Sequence, residues 1–103
     1  MAKAKPAQKT KTVAYDVAEQ LRTPEEMAAY LDAWFIEAPD DASGIARALG
    51  DIARAKGMTE VARDAGLSRE SLYKALSENG NPSFATVLTV ARALGVRLHA
   101  EAA

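Results

Sequence analysis

Met58-Thr59-Glu60-Val61-Ala62-Arg63-Asp64-Ala65-Gly66-Leu67-Ser68-Arg69-Glu70-Ser71-Leu72-Tyr73-Lys74-Ala75-Leu76-Ser77 is the stretch on which the reading of this 103-residue chain turns. Val61, Ala65, Leu67, Leu72 and Ala75 give two short segments an apolar face at helical spacing. The predicted helices run over 59–65 and 68–77 and meet at Ala65-Gly66-Leu67. Ala62 stands four residues before Gly66, where two steeply crossing helices leave little room for a side chain. Gly66 permits the positive φ that a tight turn between them demands. A small residue, then glycine, with apolar positions on both flanks, fits a helix-turn-helix, whose second helix enters the major groove of duplex DNA.

That helix would present Ser68, Arg69, Glu70, Ser71, Tyr73, Lys74 and Ser77 to its surroundings. Arg69, near the N-terminus, can bond a guanine edge in bidentate fashion. Glu70 can accept from a cytosine amine or hold Arg69 in place. Ser68, Ser71 and Tyr73 can reach bases or phosphates, and Lys74 suits phosphate better than base. Ser83 opens the next helix, where free backbone amides can hold another phosphate. Each residue alone would equally suit a solvated helix face.

Working upstream, Asp40 or Asp41 caps a helix whose apolar face is Ile45, Ala48, Leu49, Ile52 and Ala53, and Gly57 stops it. Gly44 and Gly50 each cost that helix up to ~1 kcal/mol relative to alanine. Close packing of a neighbour would account for Gly50. The run Ala42-Ser43-Gly44 suggests a start that frays or packs differently. Thr23-Pro24-Glu25-Glu26 is a capping box with proline in the first turn. Met27, Leu31, Trp34, Phe35 and Ala38 follow as an inward stripe, and Pro39 ends the helix. Asp16 caps a further short helix through Leu21. Residues 1–12, rich in Lys and Ala, read as a disordered basic arm.

Downstream, Asn79-Gly80-Asn81-Pro82 is a loop and Ser83 a cap. Phe84, Val87, Leu88, Ala91 and Leu94 face inward, and Gly95 is the stop. Val96, Leu98 and Ala100 alternate with Arg97, His99 and Glu101, the pattern of a short C-terminal strand. The expected architecture is therefore all-α. An N-terminal helical extension over 13–39 packs as one unit with a DNA-binding domain over 40–103.

The net charge of −1 hides a division along the chain. Lys3, Lys5, Lys9 and Lys11 make residues 1–12 net +4. Eight acids against Arg22 alone make residues 13–43 net −7, and residues 44–103 are net +2. Two charge characters imply two kinds of contact. There is no cysteine, so thiolate metal sites and disulfides are excluded, and a reducing compartment is compatible. A single histidine, His99, has no partner for a metal site or a nucleophile–base pair, so neither an enzyme, a metal nor a cofactor is expected. No apolar run is long enough to span a membrane, and the basic N-terminal stretch lacks the apolar segment of a secretory signal.

From Ala48 to Leu98 the chain resembles the HigA-like addiction-module antidote proteins, a branch of the lambda-repressor-like helix-turn-helix class. The residues that carry the resemblance are the runs from Ala48 to Thr59, Gly66 to Leu76, Gly80 to Phe84 and Ala93 to Leu98. Tyr15-Asp16-Val17-Ala18-Glu19 and the region of Leu31 look like the same family. The resemblance implies a lambda-repressor-like bundle in a cytoplasmic antitoxin. Such a protein binds a RelE/HigB-like, RNA-cleaving toxin and represses the operon that encodes both. Two half-sites imply a homodimer, through the Val96–Ala100 segment or the Trp34/Phe35 surface. The acidic segment before Asp41, with Glu25, Glu26 and Asp32, is the candidate contact for a basic toxin. A stand-alone helix-turn-helix repressor with no toxin partner, and an interaction module that no longer binds DNA, are the alternatives.

Overall fold

The computed structural model describes residues 21–77 and 79–103, which form five helices. They are α1 (Pro24–Glu37), α2 (Ala42–Lys56), α3 (Met58–Ala65), α4 (Arg69–Ala75) and α5 (Phe84–Leu94). The predicted basic arm and the helix capped by Asp16 lie outside the described residues.

Local chemistry sets the boundaries. Thr23 is extended, and its hydroxyl accepts from the Glu26 amide at 3.1 Å. The Glu26 carboxylate reaches back to accept from the amides of Thr23 (3.1 Å) and Arg22 (2.8 Å). The capping box thus satisfies three amides that the first turn of α1 cannot satisfy itself. Asp41 caps α2 by accepting from the Gly44 amide at 2.8 Å. At Ala42-Ser43-Gly44 the start of α2 packs rather than frays, and it does so through Gly44 alone, which is buried while Ala42 and Ser43 are exposed. A Cβ on Gly44 would collide with the Trp34 ring, so the glycine lets the indole edge approach the start of α2.

The small helix α3 is the hub, lying against α2, α4 and α5, while α1 packs on α2. Trp34, Leu49, Ile52, Val61, Leu72, Leu76, Val90 and Leu94 are the large side chains sealed from solvent. They belong to one continuous apolar cluster. Three residues expected in it lie outside. Phe35 is 41% exposed, Phe84 72% and Leu88 43%. Phe35 is one step around the helix from Trp34, and among the described helices α1 packs chiefly against α2. Phe84 and Leu88 lie one turn apart, at the edge of the face of α5 that Val90, Ala91 and Leu94 bury.

No strand occurs among the described residues, which corrects the expectation for Val96–Ala100. The alternation is real in burial: Val96 is buried, Leu98 half-buried, and Arg97 and His99 exposed. It reflects a tail laid on the core. The Val96 amide bonds the Ala91 carbonyl at 3.1 Å to close the turn at Gly95. A five-residue segment without a ladder partner has nothing to make it a strand.

One polar link between α1 and α2 was not legible in the sequence. The Tyr30 hydroxyl donates to Asp51 Oδ2 at 2.8 Å. Burial pushes the Tyr30 phenol up to about 12, and the Asp51 carboxylate adds to the rise. The Trp34 indole N–H offsets part of it, although it reaches no full hydrogen-bond partner. The folded-state value lies above the unfolded one of about 10. The link therefore stabilises fully below pH 10 and is lost as pH rises from 10 towards 12. Urea unfolding at pH 8, 10 and 11 should show a fall in stability that Tyr30→Phe makes shallower. Parallel pH profiles for the two proteins would show that the phenol does not titrate with folding.

Candidate nucleic-acid interface

The α3–α4 junction is built from backbone hydrogen bonds around one left-handed residue. Gly66 has φ 73° and ψ 29°. Its amide bonds the Arg63 carbonyl at 3.1 Å, and the Leu67 amide bonds the Ala62 carbonyl at 2.9 Å. This is the hydrogen-bond pattern of a Schellman closure. A Cβ at Gly66 would meet nothing within 4 Å, so the position requires the positive φ rather than the space. Ala62, four residues earlier, is almost fully buried, as the reading of a close approach required.

Ser68 then starts α4. It is extended, and its Oγ accepts from the Ser71 amide at 2.9 Å. Leu72 and Leu76 anchor α4 in the core. Gly50 of α2 allows that seating, since a Cβ there would stand 2.9 Å from the Leu76 carbonyl oxygen.

With Leu72 turned inward, Arg69, Glu70, Ser71, Tyr73, Lys74 and Ser77 are all exposed. Glu70, Ser71, Tyr73, Lys74 and Ser77 line one shallow groove. The Arg69 guanidinium lies over the Tyr73 ring, 5.5 Å from its centroid, and its Nη2 donates weakly to the Tyr73 hydroxyl at 3.5 Å. Arg69 is therefore held by Tyr73, one turn on, and forms no ion pair with Glu70. Stacking on a neutral ring keeps the cation and its donors available, where a carboxylate would have neutralised them. The i, i+4 spacing of Arg69 and Tyr73 permits this contact.

The two serines at helix starts are committed to structure. Besides the Ser68 cap, Ser83 Oγ accepts from the Thr86 amide at 3.1 Å and donates to Thr86 Oγ1 at 3.0 Å. What α5 offers an anion at Ser83 is thus its first free amides rather than that hydroxyl. The geometry gives α4 one exposed face with two cations, a phenol and a serine hydroxyl at Ser71 that has no hydrogen-bond partner among the described residues. That set can grip phosphate and probe base edges.

Helices of this arrangement, with a cation-bearing short helix set on a buried hub, define a small all-α bundle. The comparison with known families specifies it further. A family profile described as "Probable addiction module antidote protein" matches residues 11–102, and the chain belongs to this family. An uncharacterised protein of Haemophilus influenzae is 52% identical over 87 residues, covering 84% of this chain and 88% of that protein. No solved structure matches the chain. Membership in an addiction-module antidote family implies a toxin partner. No described helix is long and apolar enough to cross a membrane.

Proposed function

We propose that this protein is the antitoxin of a type II toxin–antitoxin module. It neutralises a RelE/HigB-like toxin in the cytoplasm and represses its own operon as a dimeric helix-turn-helix protein. The observation that carries the DNA-binding part is the solvent face of α4. Arg69, Ser71, Tyr73 and Lys74 stand together on a helix fixed by the left-handed Gly66 on one side and by buried Leu72 and Leu76 on the other. A helix so held can be inserted in a major groove without losing its own packing. In this reading α3 and α4 are the helix-turn-helix, and the α4 face is the reading surface. Arg69 bonds a guanine edge, Tyr73 orients it, Ser71 contacts a base or phosphate, and Lys74 neutralises a phosphate. The Phe84 end of α5 adds amides to the phosphate backbone.

The mild charge of residues 44–103 is consistent with a reader that relies on few, well-placed cations. A mobility-shift titration against a duplex from the protein's own promoter, beside a scrambled duplex, tests the reading. A clear preference for the promoter is expected, and equal weak binding to both would remove it. Lys74→Ala should weaken promoter and scrambled duplex alike and reduce the slope of log K against log salt by about one. A loss confined to the promoter duplex would assign Lys74 to a base instead.

A further inference from the structure

We propose that the outward face of α1 is where the antitoxin holds its toxin, by docking Phe35 and Ile36 into an apolar socket rimmed with Lys and Arg. This rests on the antitoxin reading above. Phe35 and Ile36 are 41% and 70% exposed, side by side at the end of α1. Glu25, Ala28, Ala29, Asp32, Phe35 and Ile36 recur every three or four residues, and all are exposed. They form one stripe along the helix, turned away from Met27, Leu31 and Trp34, which pack on α2. The stripe has a carboxylate at each of two turns, a low saddle of alanines, and an apolar end.

Its charge states the chemistry of the partner. Glu26 is consumed by the capping box and by Arg22, so the sequence-based set of Glu25, Glu26 and Asp32 narrows to Glu25 and Asp32. Neither of these forms an ion pair among the described residues. The last turn of α1 contains no basic residue, so the partial negative charge of the helix end is met by no cation of its own helix. A toxin that grips RNA phosphates displays lysines and arginines, and those groups complement this face. Two copies of the face would instead oppose acid to acid across a two-fold axis, which disfavours a second copy as the occupant. The basic residues 1–12 match the charge, but beyond Met1 they offer only alanines and a proline as apolar side chains, too small to cover Phe35 and Ile36.

The test uses the full chain and the purified product of the gene encoded beside it. Compared are the wild type, the double variant F35S/I36S and the double variant E25K/D32K. All changed positions are exposed, so thermal unfolding midpoints and promoter binding should match the wild type. F35S/I36S should raise the Kd for the neighbouring gene product by at least about tenfold, mainly through faster dissociation. E25K/D32K should slow association several-fold at low salt, with the difference closing at about 0.5 M salt. Wild-type affinity and rates in both variants would overturn the docking face and leave the antitoxin reading standing. No binding by the wild type would instead overturn the antitoxin reading, and the docking face with it. A fall in solution mass of F35S/I36S with toxin binding intact would assign the face to a second copy and overturn the proposal.

Discussion

Replacing Trp34 by alanine should lower the folding free energy by about 3–5 kcal/mol, the range for truncating a buried aromatic side chain. Trp34 is 1% exposed and is the largest sealed side chain in the molecule. It is also the main fastener of α1, which packs on α2 alone among the principal helix contacts. The glycine at 44 makes the site hard to rescue. A bare backbone faces one edge of the indole there, so no side chain at position 44 can move into the vacated volume. The cost should therefore fall in the upper part of the range, a large share of the ~5–15 kcal/mol that holds a domain of this size together. Urea unfolding followed by far-ultraviolet circular dichroism measures it, since the substitution removes the tryptophan signal. A loss under about 1 kcal/mol would mean that α1 is held by something other than this ring.

Arg69→Ala should cost about 1–3 kcal/mol at the operator, roughly 5- to 150-fold in Kd, while leaving affinity for unrelated duplex nearly unchanged. The guanidinium is exposed and makes no ion pair among the described residues, so its removal leaves the fold intact. Its stacking on Tyr73 restricts it before DNA arrives, which reduces the ordering cost of a bidentate contact. Tyr73→Leu should accordingly lose part of the same discrimination without removing a charge. Base-by-base substitution in the operator should show the Arg69→Ala loss concentrated at one guanine. A loss spread evenly over operator and unrelated sequence would make Arg69 a phosphate contact.

Much of this was legible because it is local. Caps at Thr23, Asp41 and Ser83, the stops at Gly57 and Gly95, and the left-handed turn at Gly66 depend on residues within one turn of each other. The exposed face of α4 was legible for the same reason, since burial of Leu72 dictates what points outward. Periodicity gave the direction of an apolar stripe but not whether a neighbour covers it. That is why Phe35, Phe84 and Leu88 were expected inside and stand partly or largely in solvent. The alternation at 96–100 misled in the same way, because a tail lying on a core alternates in burial as a strand does. The Tyr30–Asp51 bond joins residues 21 apart on different helices, and no local rule reaches it. Arg69 and Tyr73 are four apart, a spacing that permits their contact, but the sequence pointed to Glu70 as the residue that holds Arg69.

In the proposed function α4 is the element that reads DNA. Titrating isotope-labelled full-length protein with a duplex from its own promoter, and following the backbone amide resonances, tests it most directly. The largest shifts should fall on Ser68–Lys74 and on the first amides of α5, with the outward residues of α1 unmoved. Shifts centred on α1, or absent from Arg69 and Tyr73 at saturation, would contradict it.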